Sequence, residues 1–276
     1  MFYPERRILV PLLLCVLTVI CLFTISGSAG AADEVDLTKP GEYKVGYFYE
    51  YNETIGGYEL DLKYYYPATS DGEETEPDKS GAPYPTVMYF VNWVIDVSMD
   101  IEMEKEYLEL MASHGIVVLV WGNISMPPPN LVVPIIREYF DHMEVLIGNV
   151  ASPLNGMVIE GAYGLAGVDM GGVAVWSQSA AAIAEGENRI VALHSASPNM
   201  VNNEGYIGPY VDRWNQGDAA VSFQTNEAST IIPFAYQSTT TQKCLITIKA
   251  GSTRGQYRYD LMTADLLWRV GGKEEF

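Results

Sequence analysis

Cysteine is almost absent from the part of this chain that could use it. Of three cysteines, Cys15 and Cys21 lie in an apolar N-terminal run, which leaves Cys244 alone in the remainder. A single thiol cannot close an intramolecular disulfide, so the fold must be held by its core. Cys244 heads an apolar strand, which marks a buried, inert thiol rather than a reactive one. Histidine is as scarce, with His114, His142 and His194 the full set. No Cys/His cluster has metal-ligand spacing, so no metal is expected, and nothing identifies a cofactor. Positive charge is short too: 16 Lys and Arg stand against 35 Asp and Glu, a net charge of -19. Phosphate binding needs a basic patch, so nucleic acid is excluded as a partner. The acidity itself reads as a solvated surface. No internal repeat is present.

What the chain does have is apolar mass. Its 276 residues are 48% hydrophobic and 12% aromatic, enough for one sizeable core, and no linker demands a second domain. Arg6 and Arg7 precede an apolar run from Ile8 to Ile25, followed by Ala29-Gly-Ala31, an A-x-A-type cleavage site. Residues 1–31 therefore read as an export signal and 32–276 as a single secreted or extracytoplasmic domain. The apolar run is also just long enough to span a bilayer, so a retained anchor is the alternative, and membrane contact is expected only in that case. Asn52-Glu-Thr54 and Asn123-Ile-Ser125 fit the N-glycosylation pattern, a triplet common by chance.

Gly41–Tyr51 and Tyr58–Tyr66 alternate with period two and read as a hairpin of antiparallel strands. Thr69–Pro85 is a surface loop by its acidic, Gly and Pro content. The uninterrupted apolar runs Thr86–Val91 and Ile116–Trp121 are buried strands, separated by a helix over Asp100–Ser113 that stops at Gly115. After Pro127-Pro-Pro129, a helical segment covers roughly Leu131–Ile147. A short strand, Ile190–Leu193, ends at His194-Ser-Ala-Ser-Pro198. A polar connection, Asn199–Glu227, leads to a strand at Leu245–Lys249 and an amphipathic helix at Tyr259–Val270. Strands alternating with helices imply an α/β class with a doubly wound, mostly parallel sheet whose sites lie at the carboxyl ends of the strands.

One stretch organises the rest. In Tyr163-Gly-Leu-Ala-Gly167-Val-Asp169-Met-Gly171-Gly172 an apolar run reaches a glycine, turns over in three residues and opens into the Ala-rich helix Val173–Ala184. Strand, sharp turn and helix form the setting of a nucleophile elbow, whose usual pattern is G-x-S-x-G. Here the central residue is Asp169.

Leu165-Ala-Gly-Val-Asp-Met-Gly-Gly172, Leu110-Met-Ala-Ser-His-Gly-Ile-Val-Val118, and Tyr64-Tyr-Tyr-Pro67 with Tyr84-Pro-Thr-Val87 together resemble the α/β-hydrolase fold of the cutinase, polyester hydrolase and dienelactone hydrolase (chlorophyllase-type) group. The resemblance runs from about Tyr43 to Val270. It implies carboxylic-ester hydrolysis by a nucleophile, a histidine base, an acid that orients the histidine, and two backbone donors for the oxyanion. Asp169 occupies the nucleophile position. A carboxylate can attack, as in haloalkane dehalogenases and epoxide hydrolases, but a histidine must still activate the water. His114 reads as a helix-end residue and His142, beside Asp141, as a surface residue. His194 alone sits at a strand end on the catalytic edge, where it is a candidate base or a packing residue.

The acid is expected after Leu245–Lys249, where Thr253 stands in place of an aspartate. The chain reaches Phe276 one helix later, so the sheet reads as lacking its last strand and the loop that carries the family's histidine. The backbone N–H groups of Trp93 and Met170 are the candidate oxyanion donors. Trp93 and Trp214, on loops, are candidate contacts for a small or polymeric apolar ligand, whereas Trp121 and Trp176 read as core. Three readings follow. The first is an exported, catalytically degenerate hydrolase. The second is an active one in which Asp169 attacks an ester, halide or epoxide with His194 as base. The third is a truncated gene copy.

Overall fold

Alternating apolar residues in the first third of the chain build a long hairpin, and the apolar runs that follow build the parallel part of one sheet. The computed structural model describes residues 36–55, 57–91, 97–122, 133–168, 170–196, 220–226, 243–248 and 259–272. In chain order the elements are β1 (Lys44–Ile55), β2 (Tyr58–Ala68), β3 (Gly72–Glu73), β4 (Tyr84–Phe90), α1 (Val97–Ser113), β5 (Val117–Gly122), α2 (Val133–Gly148), β6 (Val158–Val168), α3 (Met170–Ala184), β7 (Ile190–Ala196), β8 (Ala220–Asn226), β9 (Lys243–Ile248) and α4 (Tyr259–Arg269). Leu37–Phe276 forms one compact unit.

The strands make a single mixed, mostly parallel sheet in the order β3-β1-β2-β5-β4-β6-β7-β8-β9. From β5 to β9 every pairing is parallel, whereas β2 runs antiparallel to both β1 and β5. The hairpin, both central strands and the helices therefore stand where the apolar periodicity puts them.

Two expectations are corrected. The sheet does not stop one strand short: β8 lies inside the stretch that reads as a polar connection, so among the described residues the strand at Lys243–Ile248 follows it as the last one. And β7 runs on to Ala196, which puts His194 within a strand rather than past its end.

Each face of the sheet carries its own core. On one side α2 and α3 cover Leu62, Tyr64, Met88, Leu119, Leu165 and Leu193; on the other α1 and α4 cover Tyr65, Val87, Val118, Ala166, Ala192 and Ala196. Residues of opposite parity along each strand divide between the two faces, as the pleat requires. All the strand residues from Tyr84 to Phe90 are buried. A strand covered on both faces reads as an uninterrupted apolar run for that reason. Helix α1 stops where Gly115 takes φ +88°, with the Ile116 N–H bonded back to the Met111 carbonyl, a left-handed cap that a Cβ would strain.

Candidate functional site

Strand β4 leads through α1 leftward to β5, whereas β6 leads through α3 rightward to β7. Adjacent strands whose connections depart in opposite directions leave a crevice at their carboxyl ends, the usual place for a ligand in an open α/β sheet. The described residues that border it by position are Val91, just after β4, and Met170, at the start of α3.

The turn at this crevice is as tight as the sequence requires. Strand β6 ends at Val168 and α3 begins at Met170, so a single residue, Asp169, separates them. The glycines on either side permit this. A Cβ on Gly167 would lie 2.6 Å from the carbonyl carbon of Gly171, and one on Gly171 would lie 2.0 Å from the carbonyl oxygen of Phe90. Both contacts are with backbone, which cannot swing aside as a side chain can. The start of α3 is thereby pressed against the end of β4, with Met170 as its first residue, one of those whose backbone N–H has no partner within the helix itself. Asp169, Trp93, Trp214 and Thr253 lie outside the described residues. Trp121 stands on β5 and Trp176 on α3.

All three histidines are placed, and each is tied to a partner. His114 follows the last residue of α1 and bonds the Lys39 carbonyl through Nε2 at 2.8 Å. His142 is no bare surface residue. Its Nε2 meets Glu50 Oε2 at 2.8 Å, and the Tyr64 hydroxyl donates to the same oxygen at 2.7 Å. The hydrogen bond to Glu50, opposed by partial burial and reinforced by the charges of Glu50 and Glu53, raises the His142 pKa above the usual imidazole value. This group joins α2 to β1.

His194 sits in the row Ala166–His194–Ser222 across β6, β7 and β8 and is fully buried beneath α4. Its Nδ1–H donates to Asp265 Oδ2 at 2.9 Å, and Asp265 Oδ1 accepts from Arg269 Nε at 2.5 Å. Burial pushes the Asp265 carboxyl up, but the hydrogen bond and charge of His194, with the charge of Arg269, outweigh it and hold the pKa below the usual carboxylate value. The other ring nitrogen, Nε2, is buried and has no hydrogen-bond partner among the described residues. Chemically this is an imidazole oriented by a carboxylate, as in a catalytic dyad, but set in the core of the sheet rather than at its edge.

Asp265 was not singled out by its sequence. The available signal was its spacing: Asp265 and Arg269, four residues apart, flank the buried stripe of Met262, Leu266 and Val270. Strand β8 carried only a diluted signal: Val221, Phe223 and Thr225 alternate with Ser222, Gln224 and Asn226 over a seven-residue strand. Among the described residues no three His, Cys, Asp or Glu gather as they would around a metal ion, and no helix is long and apolar enough to cross a membrane. Compared with known proteins, the chain matches no family model and no curated sequence.

Proposed function

We propose that this is an exported protein of the α/β-hydrolase fold whose ester-hydrolysing machinery is incomplete, and that its crevice serves to bind a small or polymeric apolar molecule. The mostly parallel sheet, the one-residue turn between β6 and α3 and the close packing of Gly167, Gly171 and Phe90 support the fold reading.

The observation that carries the loss of catalysis is the whereabouts of the histidines. Hydrolysis at an elbow nucleophile needs an imidazole that can take a proton from an attacking group or water. The chain has three, and they are bonded to Lys39, Glu50 and Asp265. Only His194 lies on a strand beside the elbow strand, and none of it is exposed to solvent.

The added strand also moves the expected acid. In the resembled group the acid follows the penultimate strand and the histidine follows the last. With β8 in the sheet, the penultimate strand ends at Asn226 and the next residue in sequence is Glu227. After β9, residues 249–258 contain no histidine. On this reading Glu227 is the candidate acid by its place in the sequence, and the base is the part that is missing.

A second reading rests on the His194–Asp265 pair, which would let His194 serve Asp169 as an oriented base. Both readings are tested by hydrolysis of a short-chain p-nitrophenyl ester, an alkyl halide and an epoxide by protein beginning at Ala32, beside Asp169→Ala and His194→Gln. The expected result is no turnover above background in any of them. Turnover that disappears in both variants overturns the degenerate reading in favour of the second.

A further inference from the structure

We infer that Asn52 is an N-glycosylation site whose glycan covers the open edge of the sheet. The triplet Asn52-Glu53-Thr54 supplies the acceptor amide and, two residues on, the hydroxyl that glycosyl transfer to asparagine requires. The fold supplies the rest. A transferase must reach the asparagine, and a bulky glycan must then fit without displacing the core, which restricts real sites to surface backbone.

The residues that flank Asn52 lie in such backbone. Pairing between β1 and β2 steps from Glu50↔Leu62 to Glu53↔Leu60, so Tyr51 and Asn52 together stand against Asp61 alone. This is a bulge. It removes a residue from the ladder and re-aims the side chains around it. The neighbours show the result: Tyr51 is 62% exposed and Thr54 is exposed, although Ile55 next to it is buried at 2%. On its outer side β1 is paired with β3 only at Gly46 and Tyr47. Among the described residues, no strand lies beyond β1 from Phe48 to Ile55.

A bare strand edge of that length invites pairing with another chain, and proteins blunt such edges with charge, bulges or cover. Glu53 and the bulge provide the first two, and a glycan in the middle of the bare segment provides the third. In the transfer, Asn52 Nδ2 forms a bond to the anomeric carbon of an oligosaccharide carried on a lipid phosphate. The bond from that carbon to the phosphate oxygen breaks, the lipid phosphate leaves with the electron pair, and the amide gives up one proton.

The inference rests on the export reading, because lipid-linked donors are used on the exported side of a membrane. The test is mass spectrometry of the full chain isolated from the cells that make it, with cells and medium fractionated separately so that export is scored on its own. Trypsin releases Val45–Lys63, which contains this triplet and not the one at Asn123. The expected result is a Val45–Lys63 peptide heavier than its sequence by one glycan, a shift that disappears in Asn52→Gln and Thr54→Ala and survives in Thr54→Ser. A wild-type peptide at its sequence mass, in whichever fraction the protein is found, overturns the inference. An exported but unmodified chain leaves the export reading intact, whereas a chain confined to the cell refutes it.

Discussion

Replacing Asp265 with alanine tests whether His194 is part of the core's construction. The substitution removes the acceptor of the His194 Nδ1–H and the counter-charge of Arg269, whose side chain is only 4% exposed. Breaking a buried pair by deleting one partner leaves an uncompensated charge and costs about 3–5 kcal/mol. In a domain of this size each kcal/mol moves the melting temperature by about 2–4 °C, so a fall on the order of 10 °C is expected. Thermal melts followed by circular dichroism, with urea midpoints beside them, measure it. Exchanging His194 and Asp265 for leucine together with Arg269→Met should cost far less, because the charges leave together.

The acid side gives a second readout of the same variant. Asp265 has a depressed pKa in the folded chain. The stability it contributes is therefore present above the unfolded carboxyl value of about 3.9 and is lost as pH falls through the folded value. The gap between wild type and Asp265→Ala should close as pH falls below about 4. A loss below about 1 kcal/mol at neutral pH would refute the structural role, since it is less than one ordinary hydrogen bond to a charged group contributes.

Two further outcomes follow from the same geometry. The pKa of His142 is raised in the folded chain, so the stability it adds is fully present below the unfolded imidazole value of about 6.5 and is lost as pH rises through the folded one. In urea titrations His142→Gln should cost more at about pH 5.5 than at about pH 9, and an equal cost at both would show that the Glu50 contact does not hold α2 to β1. Asp169 immediately precedes α3, the position a helix N-cap takes, so Asp169→Ala should lose about 1 kcal/mol in urea unfolding while Asp169→Ser keeps most of it; no difference between the two would refute capping.

The sequence was most legible where burial is complete. Strand β4 is covered on both faces, so its apolar run could hardly be read as anything else. The hairpin β1–β2 was legible by its alternation, although its bulge was not, because an extra residue in one strand shows only in the pairing. Strand β8 was obscured because it is short and set among polar residues, which dilute a period-two signal over seven positions. That one omission shifted the count of strands, and with it the residue expected to serve as the acid. The His194–Asp265 pair was hidden for a different reason. It joins positions 71 residues apart, and the contact exists only once α4 lies across β7.

A nucleophile elbow has two separable requirements. Folding needs a tight turn: small residues at Gly167 and Gly171 so that α3 can press on β4, and a residue before Met170 that satisfies the open N–H groups of the helix. Aspartate meets that second need as well as serine does, and its negative charge adds a favourable interaction with the positive end of the helix dipole. Catalysis needs something more, an imidazole within reach of that residue. On the reading proposed above, an aspartate that caps α3 would engage the same donors that otherwise stabilise an oxyanion. Exchange of serine for aspartate can therefore preserve the turn while removing the chemistry.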